Sequence, residues 1–293
     1  MARLAVLFAA VCFGTTGTAQ ALGPDATDPL AVGAARILVG AALLVAVAAR
    51  SLPAAGGPWA PRPLLAAGVG VAAYQLAFFT AVEDTGVAVG TVVAIGSGPA
   101  FAGLLGRAVG GEALTGRWAL ATGLACAGVA LLVGSGQAAD VSAPGIGLAL
   151  VAGASYATYT VAAKALLTAG HAPEAVMARA FALGAILLLP VLFATGGGGL
   201  ESAGGLALVL FLGAVPTALA YVLFARGLRH LSSGETATLT LAEPLTATLL
   251  GIVVLGERPT GLMAAGAALV LGGLLVLAAR GPRAPVPTPI PLE

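Results

Sequence analysis

Three polar side chains that could bind a cation or a proton lie close together in an apolar part of this 293-residue chain. Thr236, Thr240 and Glu243 are spaced i, i+4 and i+7, so they share one face of a helix, and Pro244 follows directly. A polar side chain in the apolar middle of a membrane helix costs free energy unless it faces a cavity or a partner. The spacing therefore predicts a binding surface. The alternative is that the threonines bond their own backbone and Glu243 bonds a neighbouring helix.

Aromatic side chains with polar neighbours form a second set of candidates. All four tyrosines of the chain lie in three apolar segments, together with phenylalanine, glutamine and threonine at helical spacing. Rings with a polar edge suit the apolar part of a small solute and anchor its polar end, although such rings also pack or lie at membrane interfaces. The predicted substrate-binding residues are Tyr74, Gln75, Phe78, Tyr156, Tyr159, Thr217, Tyr221, Thr240 and Glu243.

Enzyme chemistry finds no support in the motifs. Neither a P-loop nor a GxSxG elbow is present, and His171 and His230 lack metal-ligand spacing. Cys12 and Cys126 are isolated thiols inside apolar runs, which predicts neither a disulfide framework nor a metal site. We expect no enzyme activity, no cofactor and no metal. A membrane-embedded enzyme or scaffold is the weaker alternative.

The composition of the chain indicates that the segments carrying these candidate residues are surrounded by lipid. Hydrophobic residues make up 59% of the chain and charged residues only 9%, too little polar surface to coat a water-soluble protein. The formal net charge of +1 leaves no basic surface for nucleic acid. The lipid bilayer and a small-molecule substrate are the expected partners.

Apolar runs bounded by Gly, Pro or charged residues predict ten transmembrane helices. The runs are continuous rather than alternating, and all of them exceed the ~9 to 11 residues of a barrel strand, which argues against a β-barrel. The predicted spans are Leu4–Ala21, Pro29–Ala49, Leu64–Val82, Val87–Leu105, Trp118–Val133, Gly145–Leu167, Val176–Ala194, Leu206–Phe224, Thr236–Leu255 and Leu262–Ala279.

Charged residues divide between the two ends of these spans. The termini and the connections after spans two, four and eight carry Arg3, Arg50, Arg62, Arg107, Arg117, Arg226, Arg229, Arg280 and Arg283. The opposite connections carry Asp25, Asp28, Glu83, Asp84, Asp140, Glu201 and Glu257, with Arg258 as their only clear base. By the positive-inside rule, both termini are cytoplasmic. Three further bases lie within spans, near their ends, where snorkelling to the headgroups is the simplest interpretation: Arg36, Lys164 and Arg179.

An internal repeat is the strongest signal in the chain. PAFAGLLGRAVGGEALTG, from Pro99, aligns without a gap with PLTATLLGIVVLGERPTG, from Pro244, at a shift of 145, and ten of the eighteen positions are identical. The matches include a proline, three glycines and a glutamate, which chance similarity between apolar segments would not align. Pro99 and Pro244 each remove a backbone donor and predict helix bends.

Each repeat contains five spans, so the second copy must enter the membrane from the opposite side. The predicted architecture is an all-α integral membrane protein with ten transmembrane helices in two inverted five-helix repeats, over 1–139 and 140–280, followed by a disordered Pro-rich tail, 281–293. Inverted repeats allow two pseudo-symmetric arrangements, which become inward-open and outward-open states around a site near the midplane.

Ten spans in two repeats, each with a proline in the fourth helix and a following Gly-Glu turn, resemble the EamA family of the drug/metabolite transporter superfamily. Those turns are Gly111-Glu112 and Gly256-Glu257, and the helical Arg36 and Arg179 fit the same pattern. The segment FARGLRHLSSGETATLTLAEPLTATLLGIVVLGE resembles the family's second-repeat core. One departure is Phe13-Gly14, where the family often has Trp-Gly.

The resemblance implies a secondary transporter of the inner (plasma) membrane that moves small metabolites, commonly amino acids outward. The exporters of aromatic and apolar amino acids resemble it most among the family's branches. Alternatives are a carrier of drugs, sugars or other metabolites, or a passive channel. Glu243 has Gly98 as its counterpart at the 145 shift. A charge at mid-membrane costs about 2.5 to 3.5 kcal/mol on insertion scales, so we expect Glu243 to bind the coupling proton or the amino group of the substrate.

Overall fold

The computed structural model describes residues 1–24, 27–50, 57–133 and 142–279, and all regular structure among them is helical. These residues form ten helices. They are α1 Ala2–Ala21, α2 Pro29–Arg50, α3 Pro61–Gly86, α4 Val89–Gly110, α5 Gly116–Val133, α6 Ala143–Thr168, α7 Pro173–Ala194, α8 Ala203–Leu228, α9 Ser233–Val254 and α10 Gly261–Ala278.

The predicted all-α, ten-helix membrane architecture is confirmed. Each predicted span matches one helix, and no boundary moves by more than five residues. Six helices, α3 and α6 to α10, begin earlier than predicted, with a capped or proline-led first turn that hydropathy alone does not detect. The hydroxyls of Ser142, Ser202, Ser232 and Thr260, for example, each accept a hydrogen bond from a backbone N–H in the first turn of α6, α8, α9 and α10.

Several expectations lie outside the described residues. They concern Asp25, Asp140, Arg280 and Arg283, the boundary at 139–140, and the tail 281–293. The structure neither supports nor contradicts them, and the two-repeat domain division stays a prediction.

Large apolar side chains cover the outside of the bundle. Phe8 is 62% exposed, Leu104 58%, Phe193 79% and Val253 72%. A water-soluble protein does not expose apolar side chains on every side, whereas lipid requires it. Together with the length of the helices, this makes the chain a multi-pass membrane protein.

Helices α3 and α4 are joined by a hairpin turn with almost no loop. Gly86, with φ 77° and ψ 157°, is the non-helical residue at which the chain reverses. A Cβ at Gly90 would lie only 3.1 Å from the Cα of Val82, which shows how tightly the two helices meet. Side chains with a Cβ rarely adopt such a positive φ, so glycine is required at the turn.

Proline interrupts the regular hydrogen bonding of α8 and α9. In α8, residues Ala214–Leu219 form a π-helical stretch around Pro216. In α9, the chain leaves the α-helix between Leu239 and Ala242, just before Pro244. A proline cannot donate to the carbonyl four residues earlier, which explains both positions. These interruptions determine which side chains of α8 and α9 face the interior.

The core packs aromatic and aliphatic residues from six helices, α1, α2, α3, α6, α7 and α8. Its largest fully buried members include Phe181, Phe224 and Leu44. Elsewhere glycine allows closer approach: a Cβ at Gly128 on α5 would lie 2.6 Å from the carbonyl oxygen of Gly266 on α10. Small residues at such crossings are typical of membrane helix packing.

Candidate functional site

A central cavity of about 600 Å³ reaches from one end of the bundle toward its middle. It is bordered near that end by residues such as Gln20, Val82, Thr91 and Met263, which lie close to the connections α1–α2, α3–α4 and α9–α10. We call this end the acidic face, because the connections there carry Asp28, Glu83, Asp84, Glu201 and Glu257. The other end carries Met1, the end of α10 at Ala278, and several arginines, and is called the basic face. Those arginines are Arg3, Arg62, Arg107, Arg117, Arg226 and Arg229.

The cavity wall is largely aromatic. Tyr74 stacks on Phe78 with ring centroids 5.6 Å apart, and Tyr156 lies 6.2 Å from Tyr74. Tyr221 completes the wall from α8. All four were predicted as binding residues from their spacing, and the fold brings them to one cavity.

Glu243 lines the same cavity because α9 is interrupted just before it. Pro244 cannot donate to the carbonyl of Thr240, which instead accepts the N–H of Glu243 at 2.9 Å. The hydroxyl of Thr240 lies 3.2 Å from that of Tyr156, which links α9 to α6. Thr236, predicted on the same face, is fully buried, and its hydroxyl donates to the carbonyl of Ser232.

Three predicted binding residues lie behind the cavity wall rather than in it. Gln75 is 3% exposed, and its amide donates to the carbonyl of Gly33 at 3.0 Å. Tyr159 is 2% exposed and donates to the sulfur of Met177 at 3.2 Å. These two side chains support the wall.

Thr217 is the third, and its position follows from the π-helical stretch. Its hydroxyl donates to the carbonyl of Leu212 at 2.8 Å, the carbonyl that Pro216 leaves without its usual N–H. The wider turn also shifts the helical phase. Thr217 therefore does not share the cavity-facing side with Tyr221, as regular i, i+4 spacing had suggested.

Arg36 is the site residue that the snorkelling interpretation missed, and for this residue that interpretation is wrong. It lines the cavity from α2, and its Nη2 donates to Oε1 of Gln75 at 2.8 Å. The other two basic residues behave differently: Arg179 lies on the ring of Trp59 at 4.0 Å, and Lys164 donates to the carbonyl of Leu228 at 2.9 Å. One feature of the sequence could have indicated this position. Arg36 is the eighth residue of the 22-residue helix α2, more than two turns from its start, which is too deep for a headgroup contact.

The basic face is closed by a contact between the two halves. The carboxylate of Glu112, after α4, accepts the backbone N–H of Ser233 at 2.8 and 3.0 Å and the Ser233 hydroxyl at 3.0 Å. Ser233 is the first residue of α9 and is fully buried. A carboxylate at a helix N-terminus is favoured by hydrogen bonding and by the helix dipole.

Further contacts brace the same closure. Arg3 pairs with Glu235 at 2.7 Å and also donates to the carbonyl of Ala278. Arg226 pairs with Glu174 at 2.6 Å. The described residues form their two ion pairs on the basic face, none on the acidic face.

Glu257, the repeat counterpart of Glu112, is exposed at the open end of the cavity. Both glutamates follow a glycine with positive φ, 65° at Gly111 and 73° at Gly256, and both donate their N–H to the glycine six positions earlier at 3.1 Å. The carboxylate of Glu257 has no hydrogen-bond donor among the described residues. The two repeats thus have the same turn, engaged at the basic face and free at the acidic face.

No group of three or more His, Cys, Asp or Glu side chains that could hold a metal occurs in the described part of the chain. The charged side chains that line the cavity are Arg36, Glu243 and Glu257. Such a mixture of one base, two acids and aromatic rings suits binding of a small polar-apolar solute.

Comparison with known proteins agrees with this architecture. Residues 1–134 and 143–279 each match the EamA-like transporter family. A protein of Bacillus subtilis (strain 168), the uncharacterized transporter YwfM, is 45% identical over 278 residues, which cover 94% of this chain and 93% of that protein. The uncharacterized protein PA1977 of Pseudomonas aeruginosa is 34% identical over 276 residues, 90% of this chain and 89% of its own length.

A solved crystal structure shares the fold. It superposes with a TM-score of 0.82 at 22% sequence identity and covers 94% of this chain and 95% of its own. At that identity the likeness concerns the fold alone.

Proposed function

The chain belongs to the EamA-like transporter family, whose name and relatives point to a transporter rather than an enzyme. We propose that it exports amino acids, aromatic or apolar ones first, by alternating access. We place it in the inner membrane with both termini in the cytoplasm, in line with the positive-inside rule. In that orientation the acidic face and its cavity open outward.

The observation that carries the proposal is the cavity itself. It measures about 600 Å³, within the range of about 300 to 1,000 Å³ typical of small-molecule sites. An aromatic wall of Tyr74, Phe78 and Tyr221 faces it, together with one guanidinium and one mid-membrane carboxylate. An apolar side chain fits the wall, and the charged ends of an amino acid fit the two ionisable groups.

Alternating access is supported by the difference between the two faces. Glu112 holds the N-terminus of α9 at the closed face, while Glu257, in the same kind of turn, is free at the open face. An exchange of these roles between the repeats would close the acidic face and open the basic one. A passive channel has no need of such a mutually exclusive pair.

Proton coupling is the proposed energy source, with Glu243 as the proton carrier. Its side chain lines the cavity whose other lining residues reach the acidic face, and its charge state would bias which face is open. Arg36 lines the same cavity, and the two side chains form no ion pair.

Counterflow in proteoliposomes tests the function. The purified chain is reconstituted, loaded with one unlabelled solute and exposed to trace labelled solute, with amino acids, sugars and cationic dyes in turn. We expect labelled phenylalanine or leucine to accumulate transiently and a pH gradient to change the rate. Accumulation of a sugar or dye alone would refute amino-acid export, and leakage without exchange would indicate a channel.

A further inference from the structure

One guanidinium in the cavity has hydrogen-bonding capacity that the protein does not use. Of the three nitrogens of Arg36, only Nη2 has a hydrogen-bond acceptor among the described residues, the Oε1 of Gln75 at 2.8 Å. The Nε atom is buried and without a partner. A buried donor left unpaired destabilises a protein, and a charged one does so more strongly, so the group needs an acceptor from elsewhere.

The guanidinium is also held in one orientation. The amide nitrogen of Gln75 donates to the carbonyl of Gly33 at 3.0 Å, so the amide oxygen must face Arg36. Gln75 is 3% exposed and has no freedom to turn away. Gly33 and Gly40 flank Arg36 on α2, where a Cβ would collide with Phe79 and Thr217 respectively. The surroundings therefore fix Arg36 at the cavity wall without neutralising it.

No carboxylate of the described residues forms an ion pair with Arg36. Glu243 lines the same cavity from α9 and is not paired with Arg36. Tyr74 and Tyr221 line the same cavity. A ligand with a negative and a positive end would pair with both groups at once.

We propose that Arg36 binds the carboxylate of a zwitterionic substrate whose ammonium group faces Glu243, an inference that rests on the amino-acid transport proposed above. Gln75 is the positioning residue for Arg36. The charged groups around the cavity favour a monocarboxylate over a phosphate, because a dianion would meet one guanidinium and the two carboxylates of Glu243 and Glu257. The planar guanidinium offers two parallel donors that match a carboxylate.

The test uses the full chain and four probes that differ in one end each: L-phenylalanine, phenylalaninamide, phenethylamine and 3-phenylpropionate. Binding to the detergent-purified protein is followed by thermal unfolding and by competition with labelled phenylalanine, and transport by counterflow. The wild-type protein is expected to bind phenylalanine about 30-fold or more tightly than either probe that lacks the carboxylate. Equal binding of phenylalanine and phenethylamine would overturn the proposal without any variant.

Arg36→Gln should remove that preference, so that phenylalanine and phenethylamine bind within about threefold of each other, and Arg36→Lys should restore part of it. Arg179→Gln is the matched control, because Arg179 is the repeat counterpart but lies exposed on Trp59, outside the cavity. It should keep the wild-type preference. A preference unchanged in Arg36→Gln refutes the role of Arg36.

The outcomes separate this inference from the proposed function. In one outcome, the protein exchanges phenylalanine, but Arg36→Gln still prefers phenylalanine over phenethylamine as strongly as the wild type does. This result would leave the proposed amino-acid transport intact and show that Arg36 does not bind the carboxylate. Binding of 3-phenylpropionate that is lost in Arg36→Gln, without exchange of any amino acid, would support the carboxylate site and refute amino-acid export. If none of the carboxylate probes changes the thermal stability of the wild-type protein, the proposal fails.

Discussion

The hydrogen bonds between Glu112 and Ser233 should set the balance between the two faces, and Glu112→Ala tests this directly. The substitution removes a carboxylate that accepts the backbone N–H and the hydroxyl of Ser233 at 2.8 to 3.0 Å. Hydrogen bonds to a charged group contribute about 1.5 to 3 kcal/mol. Loss of that amount from the closed basic face alone would raise the population open at that face by about tenfold to 150-fold.

Thiol labelling measures this population. Ala237 on α9 is fully buried beneath the closed contact, so a cysteine there, in a chain with Cys12 and Cys126 replaced by alanine, reacts only when the basic face opens. The labelling rate by a membrane-impermeant maleimide applied to that face should rise by the same factor in Glu112→Ala. Tm records whether the variant has lost global stability instead.

Glu257→Ala is the matched control, and its effect should have the opposite sign. The carboxylate of Glu257 accepts no hydrogen bond from the described residues in this state, so its removal leaves the closed basic face intact. If it engages α4 only when the acidic face closes, its loss disfavours the other state and slows labelling at position 237. Faster labelling in both variants, or none in Glu112→Ala, would refute the reciprocal roles.

Three further outcomes are expected. Glu243→Gln keeps the shape and hydrogen bonding of the side chain but cannot titrate, so transport should lose its dependence on the pH gradient. A wild-type pH profile of this variant in flux assays would contradict the role of Glu243 as proton carrier. Tyr74→Ala should reduce counterflow more than it lowers Tm, because Tyr74 lines the cavity. Tyr159→Ala, in the core, should instead destabilise the protein by about 3 to 5 kcal/mol in thermal unfolding. If the two variants lose counterflow and thermal stability to the same extent, Tyr74 is not part of the site. A reporter fused after Ala279 should read cytoplasmic, while a cysteine replacing the exposed Asp84 should react from outside; reversed labelling would overturn the proposed orientation.

The helices could be predicted from sequence because lipid imposes one rule on every span. Each needs about 20 apolar residues, so continuous apolar runs predicted ten helices close to their observed bounds. The i, i+4 pair Tyr74 and Phe78 shares the cavity wall as regular helix geometry requires. Where α-helical geometry holds, spacing predicts the face.

The missed features arise where that geometry fails or where tertiary contacts decide. The π-helical stretch turned Thr217 away from the face of Tyr221, and no periodicity in the sequence marks such a stretch beyond the proline within it. Arg36 was placed at the headgroups because its partner, Gln75, lies 39 residues away on another helix. The interpretation of a buried charge depends on that partner, and spacing along one helix does not supply it.

The hairpin turn at Gly86 has a consequence for how the protein assembles in the membrane. Its two arms, α3 and α4, are joined with almost no polar loop, so neither arm can settle alone with a free hydrophilic connection. Arg62 begins one arm and Arg107 ends the other, at the same face, while Glu83 and Asp84 lie near the turn. We therefore expect this helical pair to enter the bilayer as one unit during synthesis, its two arginines retained on the side of the ribosome and its acidic turn translocated.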